Sequence, residues 1–273
     1  MVLAKIYNDY FQIEFAVQMI CQKCVNSIKE SLTGVKGIQN VDISLEKESV
    51  IVETELPSSE IQEKIESTGR RAVLTGYGGG GNKGAAVAML GDASGCGFGD
   101  VKGVVRFLQT DDDTCVVDGT LDGLTPGLHG LHVHESGDIS VGCDSVGDHY
   151  NPNNRKHGSP ADKETERHAG DLGNVEADSN GRARFRIADN VIKVWDVIGR
   201  SVVVTEQPDD LGRGEHANSV TDGNSGKRLA CGIIARSAGM FENSKRICAC
   251  DGVTLWDERD RPLAGPGRRR CNM

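Results

Sequence analysis

A run of four glycines at residues 78–81 constrains this chain more than any other feature. Glycine packs nothing and loses the most backbone freedom on ordering, so such a run reads as a linker, not as part of a core. It divides the 273 residues into a short N-terminal stretch and a longer remainder, a length that suits two domains better than one. The hydrophobic period differs on its two sides.

Before the glycines the pattern reads βαββαβ. Phe11, Ile13, Phe15 and Val17 alternate as a half-buried strand should. A helix from about Gln22 places Val25, Ile28 and Leu32 at helical spacing, and residues 41–45 and 49–55 make a hairpin. Ser58 and Ser59 are candidate N-caps of a second helix carrying Ile61 and Ile65; Thr68 and Gly69 end it, and residues 72–75 supply the last strand. After the glycines the pattern is all-β. Residues 101–110, 115–124 and 130–135 are short strands between Gly, Asp and Pro turns. Arg182, Arg184 and Arg186 alternate with Ala183, Phe185 and Ile187, giving one wet and one buried face. Two long irregular stretches, 136–172 and 206–227, have the length of functional loops. Beyond Ser237 the chain turns polar and basic, ending in Arg268, Arg269 and Arg270, with too little apolar sequence to fold alone. The expected organisation is a domain over 1–77, a Gly-rich linker over 78–84, a β domain over 85–237 and a flexible tail over 238–273.

The formal charge of -9 argues against a nucleic-acid partner. No apolar run approaches the ~20 residues that span a bilayer, so stable membrane insertion is not expected. The first fifteen residues lack the apolar centre and cleavage site of a signal peptide. A cytoplasmic location follows as the expectation, and there cysteines are more often metal ligands or redox groups than a structural framework. All seven histidines fall between His129 and His216, away from the close cysteine pairs Cys21/Cys24 and Cys248/Cys250. Two thiol sites and one separate imidazole site are therefore expected.

In the first, Met19-Ile20-Cys21-Gln22-Lys23-Cys24 lies where a strand hands over to a helix. Soft sulfur selects Cu(I) or Zn(II), and a helix N-terminus favours thiolates. A thioredoxin-like redox pair is the competing reading, and Met19 is expected to pack beneath the loop. Residues 10–77 resemble the heavy-metal-associated domain of small copper chaperones, whose signature is M-x-C-x-x-C in a ferredoxin-like βαββαβ fold. The resemblance implies Cu(I) on Cys21 and Cys24, passed on by thiolate exchange. Arg70 falls where relatives often carry a lysine near the metal, which would offset the charge of a bis-thiolate; a solvated arginine is the alternative.

In the imidazole region, His132 and His134 share one strand face because side chains repeat every second residue. His149, His157, His168 and Asp171 follow, a complete tetrahedral Zn(II) set if they converge and a surface cluster if they do not. The phrases GLHGLHVHESGD, HYNPNNRKHG, RHAGDLGNV and GNSGKRLACG resemble Cu/Zn superoxide dismutase across roughly residues 85–237. That family implies a Greek-key β-sandwich, with zinc on His149, His157, His168 and Asp171. It also implies copper on His132, His134 and a bridging His149. Asp209 matches the carboxylate tying the two metals together, and Arg228 the cation that guides superoxide. His129 is expected to be structural and His216 a loop residue. Where the enzymes carry a fourth copper histidine this chain has Thr205, in Val203-Val204-Thr205-Glu206. The copper site is then partial and dismutation is not expected. Cys143 and Cys231 match the family's intrasubunit disulfide, worth on the order of 4 kcal/mol in the chain-entropy model; two buried free thiols are the alternative.

Cys248 and Cys250, in a C-x-C whose disulfide would be strained, suit soft-metal binding or attack on another disulfide, with Lys245 and Arg246 favouring the thiolate. Incidental tail cysteines are the bland reading. Cys96, Cys115 and Cys271 receive no role. The three parts in this order resemble the copper chaperones for superoxide dismutase over nearly the whole chain. That family implies delivery of Cu(I) to the dismutase and docking through the dismutase dimer surface at Ile198 and Gly199, with Cys248 and Cys250 binding copper, passing it to the target and helping to form the target's disulfide by thiol–disulfide exchange. It also implies an upstream copper donor, a homodimer at rest and a fraction in the mitochondrial intermembrane space. The alternatives are a fusion dismutase with residual activity, or a zinc- or copper-binding storage or redox protein.

Overall fold

The computed structural model describes residues 10–78, 84–92 and 101–237. Cys248 and Cys250, Cys96, Cys271 and most of the glycine run lie outside them. Two compact units result, the second covering Lys83–Ser237.

The first unit runs β1 (Phe11–Val17), α1 (Gln22–Leu32), β2 (Ile38–Ser44), β3 (Ser49–Thr54), α2 (Ser58–Glu66) and β4 (Ala72–Gly78). Its strands lie in the order β2-β3-β1-β4, every neighbouring pair antiparallel. This is the ferredoxin-like arrangement, which disposes of the thioredoxin reading. Phe11, Ile13, Phe15 and Val17 are all buried, and Phe11 stacks on Tyr77 at 5.4 Å. The buried stripe of α1 is Cys24, Ile28 and Leu32, an i, i+4, i+8 row, and Val25 is only half-buried. Ile28 and Leu32 are buried as their helical spacing predicts, and the third place in the row belongs to Cys24, which packs as a small apolar side chain, instead of Val25. Neither Ser58 nor Ser59 caps α2. Pro57 holds the N-cap position, and Ser58 already begins the helix. Gly78 ends β4 as a strand residue instead of opening the linker.

The second unit is all-β: β5 (Ala85–Asp92), β6 (Lys102–Gln109), β7 (Cys115–Asp122), β8 (Gly127–His134), β9 (Ser140–Cys143), β10 (Asp171–Ala177), β11 (Ala183–Asp189), β12 (Ser201–Thr205) and β13 (Arg228–Ser237). Two one-turn helices, α3 (Val194–Val197) and α4 (Ser219–Asp222), interrupt it. The order β10-β11-β7-β6-β5-β13-β12-β8 closes through the β8–β10 ladder. The Greek-key expectation holds in the connectivity, since β7 and β8 are consecutive in sequence but not neighbours. Ladders join both edges, so the two layers form one eight-stranded barrel and leave no unpaired rim among those strands. Val105, Val117, Leu121, Leu131, Val133, Val202 and Val204 fill its interior. Strand alternation then aims the opposite face of β8 outward, and His132 and His134 lie on that face beneath the long loops.

Candidate metal centres

Cys21 occupies the N-cap position of α1 with extended backbone and no side-chain cap, so the first helical N–H groups face the thiol loop. The Cys21 and Cys24 sulfurs lie in hydrogen-bond contact at 3.7 Å with no disulfide between them; Cys21 is exposed and Cys24 buried. The Cys24 thiol is lowered to about 6, chiefly by a hydrogen bond with the Ile20 backbone and next by one with the Arg70 side chain, against the opposing effect of burial. Arg70 therefore faces the loop, with Nη1 3.4 Å from the Thr68 and Gly69 carbonyls. Met19 is buried beneath the loop, while its neighbour Ile20 is 86% exposed. The pair is thus a preformed, charged and accessible sulfur site, suited to a soft ion that must also leave.

The imidazole site has the opposite character. His149, His157, His168 and Asp171 are all buried, and their ligand atoms lie within 4.8 Å of one another. Asp171 begins β10, and its Oδ2 accepts from the backbone N–H groups of Gly158 and His168. Its Oδ1 is left facing Nδ1 of His149, His157 and His168 at 2.9, 3.0 and 3.2 Å. The Nδ1 atoms of His157 and His168 have no hydrogen-bond partner. Buried polar atoms without partners, aimed at one point, are the mark of a metal site rather than of a surface cluster. Three imidazole nitrogens and one carboxylate oxygen fit Zn(II). Burial and the neighbouring His132 hold the His149 ring down at about 3, so it presents a neutral imidazole.

Asp209 bridges His132 and His157. Its Oδ2 is 2.9 Å from His132 Nε2 and its Oδ1 2.7 Å from His157 Nε2. Burial would lower the His157 ring, but the facing carboxylates of Asp171 and Asp209 raise it to about 9. Asn174 on β10 locks Asp209 by a reciprocal pair. The Asn174 amide donates to Asp209 O, and the Asp209 N–H donates to Asn174 Oδ1, each at 2.8 Å. Sequence reading gave Asn174 no role, although it lies inside the RHAGDLGNV phrase.

His132, His134 and His149 form a second convergent trio. His132 Nδ1 and His134 Nε2 are buried without partners, while His134 Nδ1 lies 2.9 Å from the Gly147 carbonyl. Thr205 does not complete the trio. Its hydroxyl donates to the Gly130 carbonyl at 3.2 Å, which commits the side chain to the backbone of β8. Arg228 is similarly committed, donating at 2.7 Å to the Cys143 and Gly147 carbonyls. It ties the disulfide loop to the carbonyl that also holds His134. His129 sits with its ring nitrogens 2.9 and 2.8 Å from Thr205 O and Thr125 O, a structural clamp, and His216 lies in an exposed loop.

Cys143 and Cys231 form a disulfide with Cα atoms 5.6 Å apart. Ile198 is half-buried and Gly199 exposed, and the exposed apolar side chains of the unit include Val141, Trp195 and Ile233. Cys115 is a free buried thiol, its pKa raised by burial and then by Asp189. Among the described residues no helix is long and apolar enough to cross a membrane.

Two family models match the chain: the heavy-metal-associated domain over residues 14–71 and copper/zinc superoxide dismutase over residues 101–234. Over 259 residues the chain is 60% identical to the copper chaperone for superoxide dismutase of Mus musculus, covering 94% of this chain and 92% of that one. Over 141 residues, half of this chain and 91% of that one, the chain is 52% identical to superoxide dismutase [Cu-Zn] A of Xenopus laevis. Among solved structures, the crystal structure of the clock protein EA4 matches with a TM-score of 0.52 and 41% identity, over 57% of this chain and 97% of that one.

Proposed function

The chain belongs to the family of copper chaperones for superoxide dismutase, and from that premise we propose how its sites divide the work of delivering copper to the dismutase. Cu(I) is the cargo, held by Cys21 and Cys24. Zinc is a resident structural ion on His149, His157, His168 and Asp171, where it would fix the long loop to β10. Zinc supplies no chemistry to the transfer; the chain's own residues do the binding and release. The barrel docks on the target through the surface around Ile198 and Gly199, the same surface that pairs two copies at rest.

The observation that carries this reading is the Cys21/Cys24 loop. One thiol is exposed, and the other is ionised at neutral pH beside Arg70. An incoming thiolate of a partner can attack copper from the open side, forming one Cu–S bond as one to Cys21 breaks. The ion then moves without ever being free. Cys248 and Cys250 act on the target. Entering as a disulfide, they accept two electrons from the target's dithiol, which becomes the disulfide as the chaperone pair becomes thiols. A reducing cytoplasm is the setting in which Cys21 and Cys24 remain thiols, with a further fraction in the mitochondrial intermembrane space. An upstream carrier with a similar open thiolate pair supplies the copper.

The test mixes Cu(I)-loaded protein with reduced, zinc-only dismutase and follows dismutase activity and disulfide state. Both should rise above a Cu(I)–glutathione control. If neither does, the transfer reading fails. A Cys248→Ser/Cys250→Ser variant that performs as well as the parent would remove the tail from the mechanism.

A further inference from the structure

The eight strands of the closed barrel have no open edge, but the four-stranded sheet of the first unit has two, β2 and β4. On β2, Val41 N–H donates to the side chain of its neighbour, Asn40 Oδ1, at 2.9 Å, so it points away from β3. Residues of an antiparallel strand alternate between facing the partner and facing away. Val41 and Ile43 therefore both turn their N–H and C=O groups to the open side, where no described strand pairs with them. Such an edge is a template for another strand unless a charge, a proline or a bulge blunts it. β2 carries one charge, Asp42, and no proline. Its irregularity falls between Ile38 and Asn40 and leaves Val41–Ser44 in regular register.

Outside the described residues, the sequence after Ser237 holds one β-prone run, Val253-Thr254-Leu255-Trp256, which follows Asp251-Gly252. So short a strand is not stable alone and needs a sheet to join. Charge selects between the two edges. Residues 36–55, which contain β2 and its hairpin partner, set Lys36 and Lys47 against Asp42, Glu46, Glu48, Glu53 and Glu55. β4 instead follows Arg70 and Arg71. Past Asp257 and Glu258, the end of the chain carries Arg259, Arg261, Arg268, Arg269 and Arg270 against Asp260 alone. A basic segment is drawn to the β2 edge and repelled from the β4 edge.

We propose that residues 253–256 add to β2 as a fifth, antiparallel strand of the first unit's sheet. Main-chain bonds to Val41 and Ile43 hold the run, as in other cases of strand addition. The direction has a consequence. β2 runs from Ile38 to Ser44, and the turn after it sits beside the thiol loop, because Val17 N–H donates to Glu48 O at 2.8 Å. An antiparallel strand enters at that end, so Cys248 and Cys250 come to rest on the side of the unit that carries Cys21 and Cys24. It leaves at the Ile38 end, where Glu53 lies opposite Asn40 and Glu55 follows, and there Arg259 and Arg261 find their partners. The two thiol pairs thus share a resting place until the target draws the tail away. The docking itself does not depend on the transfer reading, so the two can fail separately.

The experiment follows amide exchange in the full chain, reduced and copper-free, beside the variant Thr254→Pro. That substitution removes a strand N–H and lies outside both folded units, so both keep their folds. Ile43 is the cleaner reporter, since Asn40 already bonds Val41. Its N–H should exchange about 10-fold more slowly in the parent than in the variant, while the amides of β1 stay unchanged. Equal rates at Ile43 overturn the proposal. Protection that survives Thr254→Pro and grows with protein concentration means pairing with a second copy, and overturns it as well. Glu55→Lys should cut the protection by roughly 2–3-fold, and adding Arg259→Glu should restore it. A loss that Arg259→Glu does not rescue overturns the antiparallel direction, and with it the shared resting place.

Discussion

The two metal-binding regions of this protein, a thiol pair at a helix N-terminus and an imidazole cluster around the start of a strand, have opposite properties. The thiol loop offers two ligands, one of them in solvent, at the uncapped end of a helix. The imidazole cluster offers four ligands, all buried, with the carboxylate's second oxygen bound by two backbone N–H groups. Low coordination with an open side allows an ion to be exchanged; full coordination inside a closed shell retains it. A copper carrier needs both: one region that lets go and another that holds its shape while it docks.

The largest test of the closed region is its covalent staple. Replacing Cys143 and Cys231 with serine should lower the stability of the barrel unit by about 2–5 kcal/mol, read from denaturant midpoints. The thiol unit should unfold as before, because no residue of its core lies in the closed loop. If both transitions moved together, the contrast between the regions would be lost. Zinc removal is the next largest. With free zinc 100-fold above its dissociation constant, chelation should cost the barrel unit about 2.7 kcal/mol. Stripping copper should leave the midpoint of the thiol unit much less affected, since its core is complete without the ion.

The fold was largely legible because periodicity reports burial. The alternation of Phe11, Ile13, Phe15 and Val17 and the spacing of Ile28 and Leu32 were enough to place β1 and α1. The barrel was less legible from its pattern. β5, Ala85–Asp92, reads Ala-Ala-Val-Ala-Met-Leu-Gly-Asp, with small residues that give no period-two signal. The metal ligands were readable as residue types at suggestive spacings, but their convergence was not. It depends on the β8–β10 ladder that sets Asp171 opposite His132. The role of Asn174 was illegible for the same reason: its partner Asp209 lies 35 residues away.

The open region is sharpened by pH. With the Cys24 thiol at about 6 against an ordinary value of 9, its thiolate predominates above pH 6 and is lost as pH falls through it. Copper should therefore be held above that pH and released more readily below it. Arg70→Ala removes one of the two main causes, so the alkylation profile of Cys24 should move upward by about one pH unit. An unchanged profile would make Arg70 a solvated arginine after all. No comparable pH step is expected in the alkylation of Cys115, which is sealed in the barrel.

The smallest effect concerns Thr205, and it separates two meanings of the missing histidine. If its hydroxyl were a replacement ligand, Thr205→Val would weaken any ion held by His132, His134 and His149. The structure commits that hydroxyl to the Gly130 carbonyl, so Thr205→Val should cost no more than about 1 kcal/mol of stability. Its affinity for Co(II), followed by visible absorption, should match the parent's. A clear loss of Co(II) binding would mean that Thr205 turns toward the trio when metal arrives. The barrel would then hold a second ion in a four-donor shell, and the contrast between a releasing region and a retaining one would extend into the barrel itself.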